Sequence, residues 1–331
     1  LGDGRQDGGT TPVVVTNEDG TGPLTGVTAV STSGTFSCAV LTSGQARCWG
    51  INHQGQLGNG TTTDALRPTP VLNPEGTGPL SGITEISSGF ARSCARLNSG
   101  EARCWGYNQD GMIGNGVVGP DALLPVVVLD EAGEAPLSGV AGVSAGLLHT
   151  CASLLDGQAR CWGRAGLGHG STTGSPLPVA VSNVDGTGPL NDVTQLTTLW
   201  DHTCARLASA EAVCWGSGEG LGSAGPAPRP VSILGPGAGT TLPGVGSISA
   251  GGYVTCVTTS QLLCLGRNYY GSVGDGTTTD RPELVPVLAP SGVGPLADVA
   301  TVSVGYDHAC ALLQSGEARC WGTNSAGQLG D

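Results

Sequence analysis

Hydrophobic and polar positions alternate along this chain in short runs that recur at a nearly constant interval. Residues 36–41 and 45–49 are two such runs, and the loop between them ends in Gly44. This pattern predicts two β-strands joined by a three-residue hairpin with glycine in the left-handed conformation. A glycine-rich stretch, a proline-valine strand and a further run such as residues 83–89 follow the hairpin. Four short strands per copy, without helical periodicity, predict an all-β fold in which each copy is one blade of a β-propeller.

Every copy carries one pair of cysteines across its hairpin. The first cysteines stand at positions 38, 94, 151, 204, 256 and 310, so the unit repeats about every 52–57 residues. Counting outward from Ser43 places Cys38 opposite Cys48, and directly opposed residues of antiparallel strands lie within disulfide reach. Metal ligation is the alternative, but structural zinc sites prefer ligands two to four residues apart. We therefore predict one disulfide per blade, which pairs Cys38 with Cys48, Cys94 with Cys104, Cys151 with Cys161, Cys204 with Cys214, Cys256 with Cys264 and Cys310 with Cys320.

Cysteine usage also indicates the compartment. Twelve cysteines in six local pairs, with none left over, are typical of an oxidising environment. We expect the protein to be secreted or held at the cell surface, with the periplasm as an alternative. No apolar run approaches the roughly 18 residues that a membrane helix needs, and no signal peptide is visible. Any targeting segment is expected to have been removed or to lie outside this sequence.

The chain starts and stops within a copy of the repeat. Residues 1–30 carry the glycine, proline-valine and turn pattern that elsewhere follows a hairpin. We expect a single propeller domain over residues 1–331, with six blades of four strands, closed by residues 1–30, which complete the last blade and satisfy its edge. An open fragment of a longer array is the alternative. The repeats centre on residues 38–48, 94–104, 151–161, 204–214, 256–264 and 310–320.

The residues from His308 to Gly322, followed by Asn324 and the Gly-Gln-Leu-Gly segment at 327–330, resemble the repeat of the RCC1 (regulator of chromosome condensation) family. The resemblance covers essentially the whole chain and implies a β-propeller. The best-known member of that family is a nuclear exchange factor for a small GTPase, which docks on chromatin and usually counts seven blades. This chain has six cysteine pairs and is more similar to the secreted or surface-anchored RCC1-repeat proteins of bacteria.

The charge balance weighs against the nuclear functions of that family. The chain has 26 acidic residues and 13 basic residues, a formal net charge of −13, and all the basic residues are arginines. Nucleic-acid binding through phosphates needs a basic face, so we expect neither chromatin binding nor guanine-nucleotide exchange. Chemistry that depends on lysine is excluded, and an arginine-only composition suits a GC-rich bacterial genome.

Three histidines, His149, His202 and His308, stand two residues before the first cysteine of their repeats. They could converge on the propeller axis as metal ligands, but the same position elsewhere holds Phe36, Arg92 and Val254. We favour the simpler interpretation, in which the histidine is a strand residue hydrogen-bonded inside its blade. The Asp-His dipeptides at 201–202 and 307–308 do not form catalytic pairs, because neighbours on a strand point to opposite faces. We expect no enzymatic activity, no metal and no cofactor.

The loops at residues 59–64 and 275–280 could offer oxygen ligands to calcium, but they lack the ligand spacing of a known calcium loop, so we interpret them as solvated turns. Four arginines, Arg47, Arg103, Arg160 and Arg319, precede the second cysteine of their repeats. An arginine ring for anions is one interpretation. We favour the other, in which these side chains and the repeat tryptophans pack between blades with carboxylate partners.

Trp200 is the one tryptophan outside the repeat pattern, and Asp201 follows it. An aromatic side chain off the pattern of a propeller is more often exposed, so we predict a contact site at these two residues. The function we expect is that of a non-enzymatic, extracellular or cell-surface scaffold or protein-binding module of bacterial origin, whose partner is a protein or a glycan. A carbohydrate- or metal-binding propeller is one alternative, and a self-assembling subunit of a surface filament is another. We expect no nucleic-acid partner and no membrane insertion.

Overall fold

The computed structural model describes residues 1–330 except 7, 217, 222–224, 238–241 and 243. Within this part the chain consists of 23 β-strands and one short 3₁₀ helix, Glu219–Leu221. The strands form six antiparallel sheets of consecutive strands, one for each repeat. The predicted six-bladed β-propeller is confirmed.

Each blade is a meander whose strands follow one another in the chain. Blade 1 consists of β1 (Val27–Thr32), β2 (Phe36–Leu41), β3 (Ala46–Gly50) and β4 (Ala65–Pro70). Blade 2 consists of β5 (Ile83–Ser88), β6 (Arg92–Leu97), β7 (Ala102–Gly106) and β8 (Ala122–Val127). Blade 3 consists of β9 (Val140–Ala145), β10 (His149–Leu154), β11 (Ala159–Gly163) and β12 (Ser175–Ala180).

The later blades follow the same plan. Blade 4 consists of β13 (Val193–Leu199), β14 (His202–Leu207), β15 (Ala212–Gly216) and β16 (Ala227–Ser232). Blade 5 consists of β17 (Ser247–Ala250), β18 (Val254–Thr258), β19 (Leu262–Gly266) and β20 (Arg281–Pro286). Blade 6 consists of β21 (Val299–Val304), β22 (His308–Leu313) and β23 (Ala318–Gly322).

The chain divides into two compact units. The first is Leu1–Ala165 with Thr173–Ala180 and holds blades 1–3, and the second is Gly166–Thr172 with Val181–Asp331 and holds blades 4–6. Within each unit the first strand of a blade packs on the first two strands of the preceding blade, as β5 does on β1 and β2, and β17 on β13 and β14. Side-chain hydroxyls stabilise these contacts by hydrogen bonds between the two blades. The Ser31 hydroxyl accepts the N–H of Ser88 at 2.8 Å, and the Ser249 hydroxyl accepts the N–H of Val304 at 3.0 Å.

The central hairpin of each blade has the predicted register. Cys38 lies directly opposite Cys48, and the same pairing recurs in the other five blades. All twelve cysteines are joined in the predicted pairs, with 4.1 Å between the Cα atoms of each pair. Gly44 ends the three-residue loop with a φ of 72°, the left-handed conformation that the loop requires. The hairpin pattern alone was therefore sufficient to identify the covalent framework.

The glycine-rich stretch that follows a hairpin packs against the tryptophan of the next blade where that blade has one, and we call this stretch the glycine bed. The indole N–H of Trp105 donates to the carbonyl of Gln56 at 2.9 Å, and a Cβ atom on Gly58 would lie 2.6 Å from that indole nitrogen. Only a residue without a side chain can approach the ring so closely. The same contact joins Trp162 to Met112 and Gly114 in blade 3, and Trp321 to Ser272 and Gly274 in blade 6.

The fourth strand begins earlier in the repeat than the proline-valine pattern predicts. In blade 1 it spans Ala65–Pro70, whereas the sequence pattern begins at Pro70. An irregularity interrupts its pairing with β3 between Cys48 and Gly50. Prolines are tolerated in such a strand because it lies at the edge of its sheet, where a missing N–H leaves no hydrogen bond unmade.

The N-terminal residues repeat the second half of a blade unit, as the sequence predicts. A Cβ atom on Gly2 would lie 2.7 Å from the indole nitrogen of Trp49, so Gly2 occupies the position that Gly58 has in the next repeat. The N–H of Gly4 donates to the carbonyl of Leu66 at 3.0 Å. Among the described residues the sixth sheet has three strands. Completion of that blade by residues 1–30, and hence one closed domain over residues 1–331, stays a prediction.

The glycine bed predicts a large difference between two glycine substitutions that share a left-handed backbone. Gly114→Ala adds a Cβ atom 2.7 Å from the Trp162 indole, whereas Gly139→Ala, at a φ of 68°, adds one with no neighbour within 4 Å. We expect Gly139→Ala to lower the free energy of unfolding by about 1 kcal/mol and Gly114→Ala by about 3 kcal/mol or more, since only the latter adds steric overlap to backbone strain. Denaturant unfolding followed by tryptophan fluorescence measures both. Equal losses would show that the indole contact contributes nothing beyond strain.

The six disulfides are expected to differ in their resistance to reduction. Ten of the cysteines are fully buried, whereas Cys310 and Cys320 in blade 6 are half-buried. Mild dithiothreitol acting on the folded protein should therefore reduce this pair first, because thiol–disulfide exchange requires access to the sulfur atoms. Alkylation and peptide mass spectrometry should find label on Cys310 and Cys320 alone. Equal protection of all six pairs would contradict this expectation, because it would mean that the sulfur atoms of Cys310 and Cys320 are as inaccessible as those of the other cysteines.

Candidate functional site

Most of the aromatic side chains that do not belong to the repeat pattern lie together in the second unit. The chain has five tyrosines and six tryptophans, and five of the blades use one tryptophan in the glycine bed. Four tyrosines and the remaining tryptophan form a set that we call the aromatic cluster: Trp200, Tyr253, Tyr269, Tyr270 and Tyr306. Three of these rings form a triangle, with centroids 4.8 Å apart for Trp200 and Tyr306, 5.8 Å for Trp200 and Tyr253, and 5.6 Å for Tyr253 and Tyr306.

The triangle is built from turns that hold the same place in three successive blades. Trp200 lies between β13 and β14, Tyr253 between β17 and β18, and Tyr306 between β21 and β22. Since the first strand of each of these blades packs on the preceding blade, the turns at the ends of these strands come side by side. In blades 2 and 3 the residues that match Tyr306 are Phe90 and Leu147. Aligning the six repeats with one another would have shown from the sequence that this turn position is aromatic in three of them, as Phe90, Trp200 and Tyr306.

Trp200 holds a strained backbone conformation. Leu199 pairs with His202, so Trp200 and Asp201 are the two loop residues of a tight hairpin. The φ of Trp200 is 53°, in the left-handed region where two-residue hairpins normally carry glycine or asparagine. A bulky residue there costs about 1–2 kcal/mol. Retained strain of this kind occurs at functional sites more often than elsewhere.

The cluster borders two cavities that share Tyr270 and Asp307. A cavity of about 250 Å³ is lined by Tyr253, Arg267, Tyr269, Tyr270, Tyr306 and Asp307. A neighbouring cavity of about 570 Å³ is lined by Tyr270, Asp307, Gly322, Thr323, Asn324, Ser325 and Gln328. Tyr269, Tyr270 and Tyr306 are exposed by 69%, 53% and 44%, so the rings are accessible from solvent.

Polar groups are interleaved with the rings. The guanidinium carbon of Arg267 lies 5.1 Å from the centre of the Tyr253 ring, within cation–π range. The hydroxyl of Tyr306 donates to that of Tyr253 at 3.4 Å. Partial burial raises the pKa of the Asp307 carboxyl, while the positive charges of Arg267 and His308 act in the opposite direction. The site therefore combines aromatic faces, hydroxyl donors, one guanidinium and one carboxylate.

The sequence-predicted contact residues lie in this region. Trp200 is half-buried, not exposed as expected, because Tyr253 and Tyr306 pack against its ring. Asp201 is also half-buried and follows Trp200 in the same turn. That these two residues bind a partner stays a prediction. The tyrosines of the cluster were missed because none lies in a motif: Tyr253, Tyr269 and Tyr270 lie in the turns of blade 5, and Tyr306 lies in a turn of blade 6.

His202, one of the three histidines two residues before a first cysteine, packs between two blades. His202 is fully buried, and its Nε2 atom lies 3.1 Å from the hydroxyl of Thr255 in the next blade. That hydroxyl donates to the carbonyl of Gly220 at 2.7 Å, so Nε2 of His202 carries the proton and donates. The expected hydrogen bond inside one blade is thus replaced by a bond to the neighbouring blade. Within the part of the chain that the structure describes, no group of three or more potential ligand side chains is placed to hold a metal ion.

Arg92 shows the same packing role in blade 2. It is buried, its Nε atom donates to the Thr150 hydroxyl at 2.9 Å, and it also donates to the carbonyls of Leu147 and His149 in blade 3. Burial lowers the pKa of this guanidinium to about 9, so it stays charged at neutral pH. Carbonyl acceptors take the place of a carboxylate partner.

The oxygen-rich loops after the hairpins are filled by an asparagine amide. The Nδ2 atom of Asn268 lies 3.0 Å from a carboxylate oxygen of Asp275 and 3.1 Å from the carbonyls of Thr277 and Thr279. Asn52 has the equivalent contacts with Asn59, Thr61 and Thr63 in the first repeat. The oxygens that could bind calcium are thus directed at an internal donor, as expected for turns stabilised by their own hydrogen bonds.

The four repeat arginines have carboxylate neighbours. Arg319 lies 3.0 Å from Glu317, and Arg103 lies 3.8 Å from Glu101. Arg47 pairs with Glu18, and Arg160 pairs with Glu131. These carboxylates are partly or largely exposed, so each pair contributes little to stability. The arrangement matches the packing interpretation and leaves no set of arginines directed at an anion.

A larger cavity of about 900 Å³ lies against β16 in the second unit. Its lining includes Pro226, Pro228, Pro230, Val231 and Leu234. It has the volume of a ligand pocket, and its lining is mainly aliphatic and proline-rich, with Arg229 and Glu283 as its charged residues but without an aromatic ring. We therefore place the candidate site at the aromatic cluster.

The protein is thus a disulfide-bonded β-propeller with an aromatic cluster on the turns of its second unit. The regulator of chromosome condensation (RCC1) repeat matches this chain at residues 27–56, 83–111, 140–168 and 299–328. A second description of the same repeat matches residues 43–95 and 260–312. The chain belongs to the RCC1 repeat family. None of its described helices is long and apolar enough to cross a membrane.

Known relatives are similar over most of this chain. The ultraviolet-B receptor UVR8 of Arabidopsis thaliana is 29% identical over 294 residues, which cover 85% of this chain and 61% of the receptor. The mitochondrial RCC1 domain-containing protein RUG3 of the same plant is 28% identical over 317 residues, which cover 85% of this chain and 66% of RUG3. The chain therefore spans less than two thirds of the length of these relatives.

Solved structures share the fold at lower identity. Human WBSCR16 has a TM-score of 0.73 at 22% identity, over 92% of this chain and 79% of that chain. Yeast RCC1 (Prp20), bound to Kap60, has a TM-score of 0.69 at 19% identity, over 92% of this chain and 71% of that chain. The ectodomain of the Physcomitrella patens receptor kinase CR4 has a TM-score of 0.52 at 20% identity, over 90% of this chain and 64% of that chain.

Burial of His202 predicts a dependence of stability on pH. Burial lowers its pKa from 6.5 to about 4, so between these values the unfolded chain binds a proton that the folded protein does not. Protons therefore favour the unfolded state, and wild type should lose about 3 kcal/mol of stability at this site as the pH falls from 6.5 to 4. His202→Gln keeps a donor for Thr255 without titrating, and should lose correspondingly less.

Denaturant unfolding at several pH values measures this difference. The matched control is His53→Gln, since the His53 side chain is largely exposed. This control should follow the wild-type profile. Identical pH profiles for His202→Gln and wild type would show that the buried imidazole does not resist protonation.

Proposed function

We propose that this chain is a non-enzymatic protein-binding module of an exported bacterial protein, and that the aromatic cluster is its binding surface. The observation that carries the proposal is the convergence of Trp200, Tyr253 and Tyr306 from three blades beside the exposed Tyr269 and Tyr270. Tyrosine, tryptophan and arginine are the residues most enriched among those that dominate binding energy at protein interfaces. The cluster brings five such aromatic side chains together with Arg267.

The framework under the cluster supports this role. Each of the three turns precedes a strand that carries a cysteine of the blade disulfide, in β14, β18 and β22. A loop held by such a framework loses little conformational entropy when it binds, which leaves more of the contact energy for affinity. Rings that already pack on one another are preorganised in the same way.

The disulfides and the composition support an extracellular or cell-surface location. Six disulfides form and persist in an oxidising environment and are rare in the cytosol. The CR4 ectodomain has the same fold in an extracellular part of a receptor. The absence of lysine among the basic residues fits a bacterial genome rich in GC.

The net charge of the chain and the complex formed by a protein of the same fold favour a protein as the partner. A net charge of −13 disfavours nucleic acid, because phosphate contacts require a basic surface. Yeast RCC1, a protein of this fold, is bound to the protein Kap60 in its structure, which supports a protein as the partner. An enzymatic role has little support, since His202 is used in the packing of blades and lies away from solvent.

Carbohydrate binding is the second candidate function. The cavity beside Tyr270 is lined by the carboxylate of Asp307 and the amide side chains of Asn324 and Gln328. Carboxylates and amides near an exposed aromatic ring can hydrogen-bond sugar hydroxyls while the ring covers the apolar face of the sugar. This arrangement makes a glycan partner testable alongside a protein.

Substitution of the cluster tests the proposed surface. A photo-crosslinking amino acid at position 270 would capture partners from the extracellular fraction of the source cells, and the captured molecule would then be purified for titration. We expect Tyr306→Ala and Tyr270→Ala to raise Kd about tenfold or more, because a buried aromatic contact at an interface contributes roughly 2 kcal/mol.

Two aromatic residues of the first unit provide matched controls. Tyr107→Ala removes the tyrosine outside the cluster, and Phe90→Ala removes an exposed ring at the repeat position that Tyr306 occupies. Both controls should bind as wild type does. A partner whose affinity is unchanged by the cluster substitutions, or is reduced equally by the controls, would place the binding surface elsewhere.

A further inference from the structure

We propose that the aromatic cluster recognises an extended, proline-rich segment of its partner that carries a basic residue. This inference rests on the proposed function and deepens it, because it names the chemistry of the bound segment. Polyproline II segments bind grooves lined by aromatic side chains, and their preformed conformation lowers the entropy lost on binding. The cluster offers the three features that such a segment needs: a cavity lined by aromatic rings, hydroxyl donors and a carboxylate.

The rings meet at steep angles and line a cavity. The ring planes of Trp200 and Tyr253 are inclined by 53°, those of Trp200 and Tyr306 by 62°, and those of Tyr253 and Tyr306 by 66°. Tyr269 and Tyr270 meet at 87°. Four tyrosines line the cavity of about 250 Å³, which is large enough for a pyrrolidine ring: Tyr253, Tyr269, Tyr270 and Tyr306. A sugar ring needs an open, flat aromatic face, and the three central rings pack against one another.

Two of the tyrosines that line this cavity, Tyr253 and Tyr306, carry hydroxyl groups that can donate to a ligand. The Tyr253 and Tyr306 hydroxyl oxygens are 3.4 Å apart, a long contact that a better acceptor can replace. A polyproline II segment makes no internal hydrogen bonds, so all its carbonyl oxygens are available as acceptors. Tyr306, which is 44% exposed, can turn its hydroxyl toward such a carbonyl without losing a strong internal bond.

The charge of the site favours a basic residue in the segment. Asp307 lines both the smaller cavity beside Tyr253 and the larger cavity beside Asn324. Arg267 lies over the Tyr253 ring and shares the smaller cavity with Asp307, so a second cation would approach Asp307 from the larger cavity. The net charge of −13 adds a general attraction for a basic segment.

The probe that tests this inference is a synthetic peptide of eight prolines with an arginine at each end. Two matched peptides serve as controls, one with glycine in place of each proline and one with glutamate in place of each arginine. The fluorescence of Trp200 reports binding, and Trp200→Phe identifies the part of the signal that this residue supplies. We expect the proline-arginine peptide to bind the full chain at least tenfold more tightly than either control peptide.

Substitutions locate the contacts of that peptide. Tyr306→Ala should weaken its binding about tenfold, and Asp307→Asn should reduce the preference for arginine over glutamate while preserving the preference for proline over glycine. Phe90→Ala in the first unit should bind the peptide as wild type does, which separates a local effect from a loss of folding. Circular dichroism of each variant confirms that the fold is retained.

Some results would overturn the proline-rich segment as the ligand without affecting the proposed binding surface. Equal binding of the proline and glycine peptides would show a contact that depends on charge alone. Binding of a chitin or cellulose oligosaccharide at Trp200, without binding of the peptide, would keep the cluster as a binding surface but replace the partner class by a glycan. Absence of peptide binding, combined with a crosslinked partner that still depends on Tyr306, would overturn the proline-rich segment and leave the proposed function intact.

Discussion

Consecutive blades are joined by the packing of a tryptophan on the glycine bed of the preceding repeat, and this contact sets how the blades are arranged. Trp105, Trp162 and Trp321 each donate the indole N–H to a carbonyl two residues before a glycine, and each ring lies directly against that glycine. In blades 2 and 3 the same carbonyl also accepts the hydroxyl of the residue before the first cysteine, Ser93 or Thr150. One contact therefore sets the distance, the orientation and the hydrogen bonding between consecutive blades.

Departures from this contact occur near the candidate site. Blade 5 carries Leu265 where the other blades carry tryptophan, and the short helix Glu219–Leu221 packs against its strands β18 and β19. The indole nitrogen of Trp215 in blade 4 is buried without a hydrogen-bond partner among the described residues. The second unit thus combines the less regular blade contacts with the aromatic cluster. Binding surfaces on repeat proteins commonly arise in this way, because the regular repeats maintain the fold while single turns vary.

The disulfides and the blade packing have complementary roles. The bridges link the two central strands of one blade, whereas the tryptophan, hydroxyl and histidine contacts join one blade to the next. A chain with only 4% aromatic residues has few large side chains with which to build a core. Covalent closure of each hairpin reduces the conformational entropy of the unfolded chain. This raises the free energy of unfolding by about 3 kcal/mol for a loop of this size and so offsets the small core. The aromatic residues that remain are then available for the surface.

The residue pattern is sufficient to predict the local structure, whereas the candidate site forms through contacts between blades. Each disulfide could be predicted because its two cysteines lie within eleven residues of one hairpin, where strand alternation and loop length fix which residues face each other. The place of His202 depended on a contact with Thr255 of the next blade, which no local pattern specifies. Trp200, Tyr253 and Tyr306 are separated by about fifty residues each, and they meet because successive blades pack their first strands together. Sequence periodicity describes what every repeat shares, whereas a binding site is formed by what single repeats do not share, and their proximity follows from packing alone.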